Sequence, residues 1–126
     1  MIIGVGIDIV DVDDFREKLN DELIEEVFLP GEVGYAGTQA RPWENYAARF
    51  AAKEATFKAI GSGISQGLRW KDVEVVRNME SGSVALLLRG RALELAESSG
   101  MTSAFLSVSH SRTSAIAVVI IEGKTL

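Results

Sequence analysis

Residues 50–63 read FAAKEATFKAIGSG. Alanine, lysine and glutamate favour a helix, and a glycine such as Gly61 ends one. Working backward, Pro42 suits the first turn of the same segment. The expected helix therefore runs from about Trp43 to Ile60 and is the longest element in the chain. On a wheel turning about 100° per residue, Phe50 and Phe57 point together, with Glu54 beside them and Lys58 a little further round. Ala48, Ala52, Ala55 and Ala59 lie opposite, small enough for another element to approach closely. Glu54 and Lys58 thus border an aromatic face.

Glutamate four residues before lysine is the favourable orientation of a helical ion pair, worth about 0.2–0.5 kcal/mol. That ordinary reading competes with chemistry held against a packed wall, and the N-terminus bears on the choice. MIIGVGIDIV, residues 1–10, alternates and is β-branched, so a strand is expected over residues 2–10. Ile3, Val5, Ile7 and Ile9 share one face, and Ile2, Gly4, Gly6, Asp8 and Val10 share the other. Asp8 therefore points the same way as two glycines, which are expected to leave space beside it. A carboxylate on an apolar strand is unusual. Two carboxylates from different elements are enough to anchor Mg²⁺, which keeps several waters and completes its shell with substrate phosphates. A lysine one turn from such a ligand would neutralise charge on those phosphates. The pattern suits a diphosphate substrate.

Around these segments, DFREKLNDELIEEVFLP reads as helix in two pieces broken near Asn20–Asp21, with Asp11 and Asp13 as candidate caps. Its outer face is acidic, and Pro30–Gly31 is expected to stop it. Residues 31–42, with three glycines, read as a loop or mobile segment. KDVEVVRN and SVALLLRG form a hairpin, RALELAESS a short helix, and SAFLSVSH and TSAIAVVIIE two further strands. The expectation is one α+β domain over residues 1–126, a largely antiparallel sheet packed with the long central helix.

Composition sets outer bounds. The chain has 126 residues, a formal net charge of −5 and no cysteine, with 47% hydrophobic and 25% charged residues. A negative balance argues against nucleic acid as partner. Absence of cysteine excludes disulfides and thiolate metal sites. No apolar run approaches membrane-spanning length, so no membrane role and a cytoplasmic location are expected. A site at a subunit boundary would compensate for the small core, which makes an oligomer plausible.

Other signals are weaker. GSG at 61–63 follows a helix, whereas phosphate-cradling loops precede one, so Gly61 is first a helix stop and Gly63 a candidate for close ligand approach. His110, the only histidine, ends a strand beside Ser111 and Arg112, a set suited to phosphate. No G-x-S-x-G elbow supports a Ser–His–Asp hydrolase. Trp43, Tyr46 and Trp70 are read as core in preference to base-stacking residues.

GVGIDIVDV at 4–12, RFAAKEATFKAIGSGI at 49–64, LRWKDVEV at 68–75 and LSVSHSRTSAIAVVIIE at 106–122, in this order, resemble the holo-[acyl-carrier-protein] synthase family. These are the small bacterial 4′-phosphopantetheinyl transferases, and the resemblance covers nearly the whole chain. It implies their fold and a Mg²⁺-dependent transfer of 4′-phosphopantetheine from coenzyme A to a serine of an acyl carrier protein or carrier domain. Adenosine 3′,5′-bisphosphate is released, and the modified carrier serves fatty acid biosynthesis. It further implies Asp8 and Glu54 as metal ligands, Lys58 as phosphate-facing lysine, His110 in the coenzyme A site, and a homotrimer with sites between neighbours. Glu54 or a metal-bound water is the expected base for the serine proton. Arg49, Lys53, His110, Ser111 and Arg112 are candidates for the nucleotide phosphates.

One departure stands out. Many members of that family present a basic first helix to the acidic carrier, but here Arg16 and Lys18 are outnumbered in DVDDFREKLNDELIEE. Like charges cost affinity, so a less acidic carrier surface or another docking face is expected. The alternatives are a Mg²⁺-dependent diphosphate hydrolase and a non-catalytic oligomeric nucleotide-binding module.

Overall fold

The structure, a computed structural model, describes residues 1–124. Strand β1 (Ile2–Asp11) is followed by three short helices, α1 (Val12–Lys18), α2 (Asp21–Val27) and α3 (Pro30–Ala36), and by the long α4 (Pro42–Ile60). Strands β2 (Val73–Arg77) and β3 (Val84–Leu88), helix α5 (Gly90–Ser98), and strands β4 (Met101–His110) and β5 (Ser114–Gly123) complete the chain. Two 3-10 turns, Ile64–Gln66 and Trp70–Asp72, lie between α4 and β2.

All strand pairing is antiparallel. β5 is central to a three-stranded sheet in the order β1-β5-β4, and β2-β3 is a separate hairpin. The expected α+β class and the long helix are therefore present, with the antiparallel strands divided between two sheets.

The crossing of α4 over β1 determines where the site sits, and it depends on missing side chains. A Cβ on Gly6 would lie 1.8 Å from the Ala55 carbonyl oxygen, and one on Gly4 would lie 2.3 Å from that of Ala59. No side chain fits at such distances, so glycine is required for the helix backbone to rest on the strand. The expected space beside Asp8 is thus filled by α4 itself. Ala51, Ala52 and Ala55 pack against Ala117, Val119 and Ile121 of β5 on the same inner face. From Gly4 onward β1 alternates as read, Gly6 inward and Val5, Ile7 and Ile9 outward, and the outward face is left open to solvent. At its start the pairing register shifts between Ile2 and Gly4, so that Ile2 is exposed and Ile3, expected on the outward face, packs against the core.

The segment 31–42 corrects the sequence reading. Pro30 occupies the first turn of α3 and does not merely end α2. Gly31 and Gly34 lower helix propensity there, and packing overrides it. Glu32 on α3 is fully buried and accepts from Leu29 N at 2.9 Å, Val75 N at 3.0 Å and Lys53 Nζ at 3.0 Å. Lys53 also donates to the carbonyls of Trp70 and Val73. This buried pair fastens α3, α4 and β2 together. Elsewhere the break near Asn20 is as expected, with Asn20 capping α2 through Leu23 N. Asp11, not Asp13, caps α1.

Candidate active site

Because α4 rests on β1, Asp8 emerges beside the helix face that carries Glu54 and Lys58. Lys58 Nζ lies 2.9 Å from Asp8 Oδ1 and 3.0 Å from the Ile7 carbonyl oxygen. The expected Glu54–Lys58 ion pair is not the one formed. The lysine reaches across to the strand, and its pKa rises chiefly through the hydrogen bond to Asp8.

Glu54 makes no hydrogen bond among the described residues. An aromatic run lies along the same side of α4, with Phe50 between Phe15 (centroids 5.2 Å) and Trp70 (4.8 Å), and Phe57 against Trp70 (5.4 Å). Burial pushes the Glu54 carboxyl up from its usual value, and the Asp8 carboxylate adds to the shift. The Lys58 ammonium opposes it without cancelling it. The neighbouring carboxylates therefore carry more mutual repulsion than one ammonium relieves.

Two cavities meet at this point and share Glu54 as a wall. One, of about 310 Å³, runs along the end of α4 past Phe57, Lys58, Gly61, Ser62 and Gly63. The other, of about 360 Å³, lies between β1, α1 and α4 and is lined by Asp8, Val10, Phe15, Lys18, Leu23 and Phe50. Gly61 has φ 84° and ends α4, whereas Gly63 is extended and its N–H bonds to Gln66 Oε1 at 2.9 Å. Asp8, Glu54, Lys58 and Gly63 are therefore brought together around two grooves, the first continuing past the end of α4 and the second mixing the aromatic Phe15 and Phe50 with Asp11, Asp14 and Lys18.

The remaining candidates fall in two other places. Lys53 is a correction. Its side chain is wholly buried and held by Glu32 and two carbonyls, so it is not available to a phosphate. Burial pushes its pKa down, against the opposing effect of Glu32. Spacing along α4 gave no sign of this, because Glu32 stood in a segment read as loop.

Arg49 and His110 share a separate small cavity with Asn45 and Arg77. The Arg49 and Arg77 guanidiniums lie 4.7 and 4.9 Å from the Tyr35 ring centroid. Arg49 is almost fully buried, and its Nε has no hydrogen-bond partner among the described residues. His110 Nδ1 lies 3.1 Å from Oε1 of the buried Glu44. Ser111 Oγ accepts from Thr113 N and Ser114 N and so shapes the β4–β5 turn, where Arg112 is exposed. The three aromatics read as core have local partners. Tyr46 is buried on Phe28 (4.7 Å), Trp70 stands in the aromatic run, and Trp43 lies under Arg16 at 3.7 Å.

Sequence reasoning missed Glu44, Arg77 and Glu32. Glu44 looks like an ordinary first-turn acid of a helix and Glu32 like a loop acid, and only their burial distinguishes them. Arg77 ends a strand without any motif. Among the described residues no cluster of three or more His, Cys, Asp or Glu forms, and no helix is long and apolar enough to cross a membrane.

Comparisons with known proteins identify the family of the chain. The family model described as the 4′-phosphopantetheinyl transferase superfamily matches residues 4–119. A holo-[acyl-carrier-protein] synthase of Syntrophus aciditrophicus is 46% identical over 126 residues, covering 98% of this chain and 98% of the relative. That of Solibacter usitatus is 43% identical over 125 residues, covering 97% and 99%. The ACPS–CoA complex of Chronobacterium ammoniagenes superposes with a TM-score of 0.83 at 33% identity, covering 96% of this chain and 97% of that one. With Asp8, Glu54 and Lys58 assembled at one crossing and similarity along nearly the full length, the chain belongs to the 4′-phosphopantetheinyl transferase superfamily, among its holo-[acyl-carrier-protein] synthases.

Proposed function

We propose that this protein transfers 4′-phosphopantetheine from coenzyme A to a serine hydroxyl of an acyl carrier protein or carrier domain. The observation that carries the reading is the Asp8–Glu54–Lys58 cluster where α4 crosses β1, opening on two grooves. The serine oxygen attacks the phosphorus that bears the pantetheine arm. The bond from that phosphorus to the bridging diphosphate oxygen breaks, and adenosine 3′,5′-bisphosphate leaves. The serine proton passes to Glu54 or to a water beside it.

The donor set fits Mg²⁺. Asp8 and Glu54 are hard oxygen ligands, and the upward push of one on the other marks a place where added positive charge is favourable. Asp8 and Glu54 would hold the ion, and when bound it supplies neutralising charge to the diphosphate. Lys58, already at the carboxylate edge, offers its ammonium to the same phosphates. The groove past Gly61–Gly63 is open to the nucleotide end of coenzyme A, and the apolar walls of Phe15, Phe50 and Leu23 suit the pantetheine arm.

Arg49 and Arg77 supply cations and His110 a ring nitrogen for the remaining phosphate, with Arg112 two residues from His110 in sequence. Their cavity shares no lining residue with the two grooves at Glu54. This separation supports a composite site, in which one copy contributes Asp8, Glu54 and Lys58 and its neighbour contributes Arg49 and His110. The exposed Val5, Ile7, Ile9 and Phe105 on the outer sheet face support assembly of copies there, as a homotrimer. The product carrier serves fatty acid biosynthesis, in the cytoplasm. The acidic α1 and α2 favour a carrier surface less acidic than usual.

Incubation with coenzyme A, Mg²⁺ and an apo carrier, read by mass spectrometry, tests the reaction. The expected result is a carrier heavier by one phosphopantetheine group. Bisphosphate release with unmodified carrier would indicate a hydrolase, and absence of both products a binding module.

A further inference from the structure

Glu44 is a buried charge that the transfer chemistry leaves unexplained. It stands in the first turn of α4, where an acid is favoured by the helix N-terminus. Such acids are ordinarily solvated, but the Glu44 side chain is only 4% exposed. Each of its oxygens has a partner. Oε2 takes the Arg41 Nε–H, and Oε1 lies 3.1 Å from His110 Nδ1. His110 is the last residue of β4 and comes from the opposite end of the chain.

An ionised carboxylate only accepts hydrogen bonds. Burial pushes the Glu44 carboxyl up, but the hydrogen bonds from Arg41 and His110 outweigh it, and the group lies below its usual range. Nδ1 of His110 is therefore the donor, whatever the protonation of the ring. That fixes two properties of the imidazole at once. The neutral ring is held as the Nδ1–H tautomer, and Nε2 is turned away from Glu44. The side chain lines the same cavity as Arg49 and Arg77. A protonated ring then offers Nε2–H as a further donor beside two guanidiniums.

We propose that Glu44 is a positioning residue. Through its contact with His110 Nδ1, it holds the imidazole with Nε2 facing the cavity of Arg49 and Arg77, where the protonated ring donates Nε2–H to a phosphate of coenzyme A. The inference rests on the reading of His110 as a coenzyme A contact. Glu44 itself touches no substrate. Its effect is to remove the rotational freedom that His110, at a strand end beside an exposed turn, would otherwise lose on binding.

His110 is the only histidine, so its ring nitrogens are read without assignment in a ¹⁵N-labelled full-length protein. In the unligated wild type the neutral ring is expected to show the Nδ1–H pattern. In Glu44→Gln, a carboxamide that keeps shape and the bond to Arg41 can turn its NH₂ toward Nδ1, and the ring is expected to shift to Nε2–H. Because the carboxamide NH₂ opposes a protonated Nδ1, the charge-assisted bond behind Nε2–H is lost. The KM for coenzyme A should rise about tenfold with kcat changed little, the scale of a lost hydrogen bond to a charged group. In a His110→Ala background the same substitution should add less than about twofold, because residues that act through one another are not additive. A wild-type ring in the Nε2–H form overturns the proposal even if the variant fails to fold. So does an undiminished Glu44→Gln effect in the His110→Ala background. If the spectra behave as expected but His110→Ala leaves KM unchanged, the coenzyme A reading of His110 fails and the proposal fails with it, while phosphopantetheine transfer to the carrier still stands.

Discussion

Lys58 Nζ sits 2.9 Å from Asp8 Oδ1, a contact between residues 50 positions apart, and not on Glu54 one helical turn away. The lysine therefore joins strand to helix and already neutralises one carboxylate of the pair. Replacing it leaves both carboxylates facing each other and removes the ammonium from the phosphates. Lys58→Met is expected to lower kcat/KM by about 10²–10³, the scale of a lost preorganised donor. The exposed Lys58–Asp8 pair adds little to folding, so Tm should change by no more than a few degrees. A steady-state assay together with a melting curve checks both halves.

Glu54→Gln separates chemistry from stability. Transfer should be abolished while far-UV circular dichroism is unchanged. The metal-free variant should also melt slightly higher than wild type at neutral pH. The sign follows from the raised pKa of Glu54 in the folded protein. A carboxyl raised on folding binds its proton more tightly in the native state. Its contribution is therefore fully favourable below the unfolded value and is lost as pH rises through the folded one. Glutamine cannot ionise and escapes that loss. Melting curves of both proteins in chelator should diverge as pH rises from the ordinary carboxylate range. Curves that stay parallel would remove Asp8 and burial as the source of strain at this position.

Gly6→Ala tests the crossing that builds the site. Its Cβ would stand 1.8 Å from the Ala55 carbonyl oxygen, a backbone atom with nowhere to move unless α4 lifts from β1. Overpacking of this kind costs about 3 kcal/mol or more. Denaturant melts should show that loss, with Gly4→Ala, at 2.3 Å from Ala59, also destabilised but less so.

The buried Lys53–Glu32 pair should prove structural. Lys53→Ala leaves Glu32 charged in the core, and breaking one partner of a buried pair costs about 3–5 kcal/mol. Lys53→Met restores volume but still strands the carboxylate. The double variant Lys53→Met, Glu32→Gln should recover part of that stability, and its KM for coenzyme A should match wild type. A raised KM in a well-folded double variant would return Lys53 to the nucleotide site.

These cases show where the sequence was readable. The β1 alternation, the Pro42-to-Gly61 helix and the inward Asp8 follow from local period and end signals, which depend on neighbours a few residues away. Glu54 and Lys58 were legible as a pair beside an aromatic face for the same reason. What local pattern could not reveal was partnership across the fold. Lys53 reads as a candidate for the nucleotide phosphates because its partner comes from α3, a helix whose glycines hid it. Gly4 and Gly6 read as space beside Asp8, and only the packing identifies α4 as what fills it. Glu44 and His110, 66 positions apart, carry no shared motif at all.

The last prediction concerns the outer face of the sheet. Val5, Ile7 and Ile9 are 58%, 55% and 67% exposed, and their β5 partners Ile120, Val118 and Ile116 continue the same apolar surface. A monomer gains nothing from presenting such a row to water. Ile7→Glu is expected to shift sedimentation from trimer to monomer and to lower transfer sharply, because a composite site needs two copies. Mixing distinguishes this from simple unfolding. Glu54→Gln alone should be inactive, and His110→Ala weak at low coenzyme A. Hybrid trimers co-refolded from equal amounts should regain about a quarter of wild-type activity, since one interface in four joins an intact Glu54 to an intact His110. Activity no greater than half that of His110→Ala alone would place the whole site within a single copy.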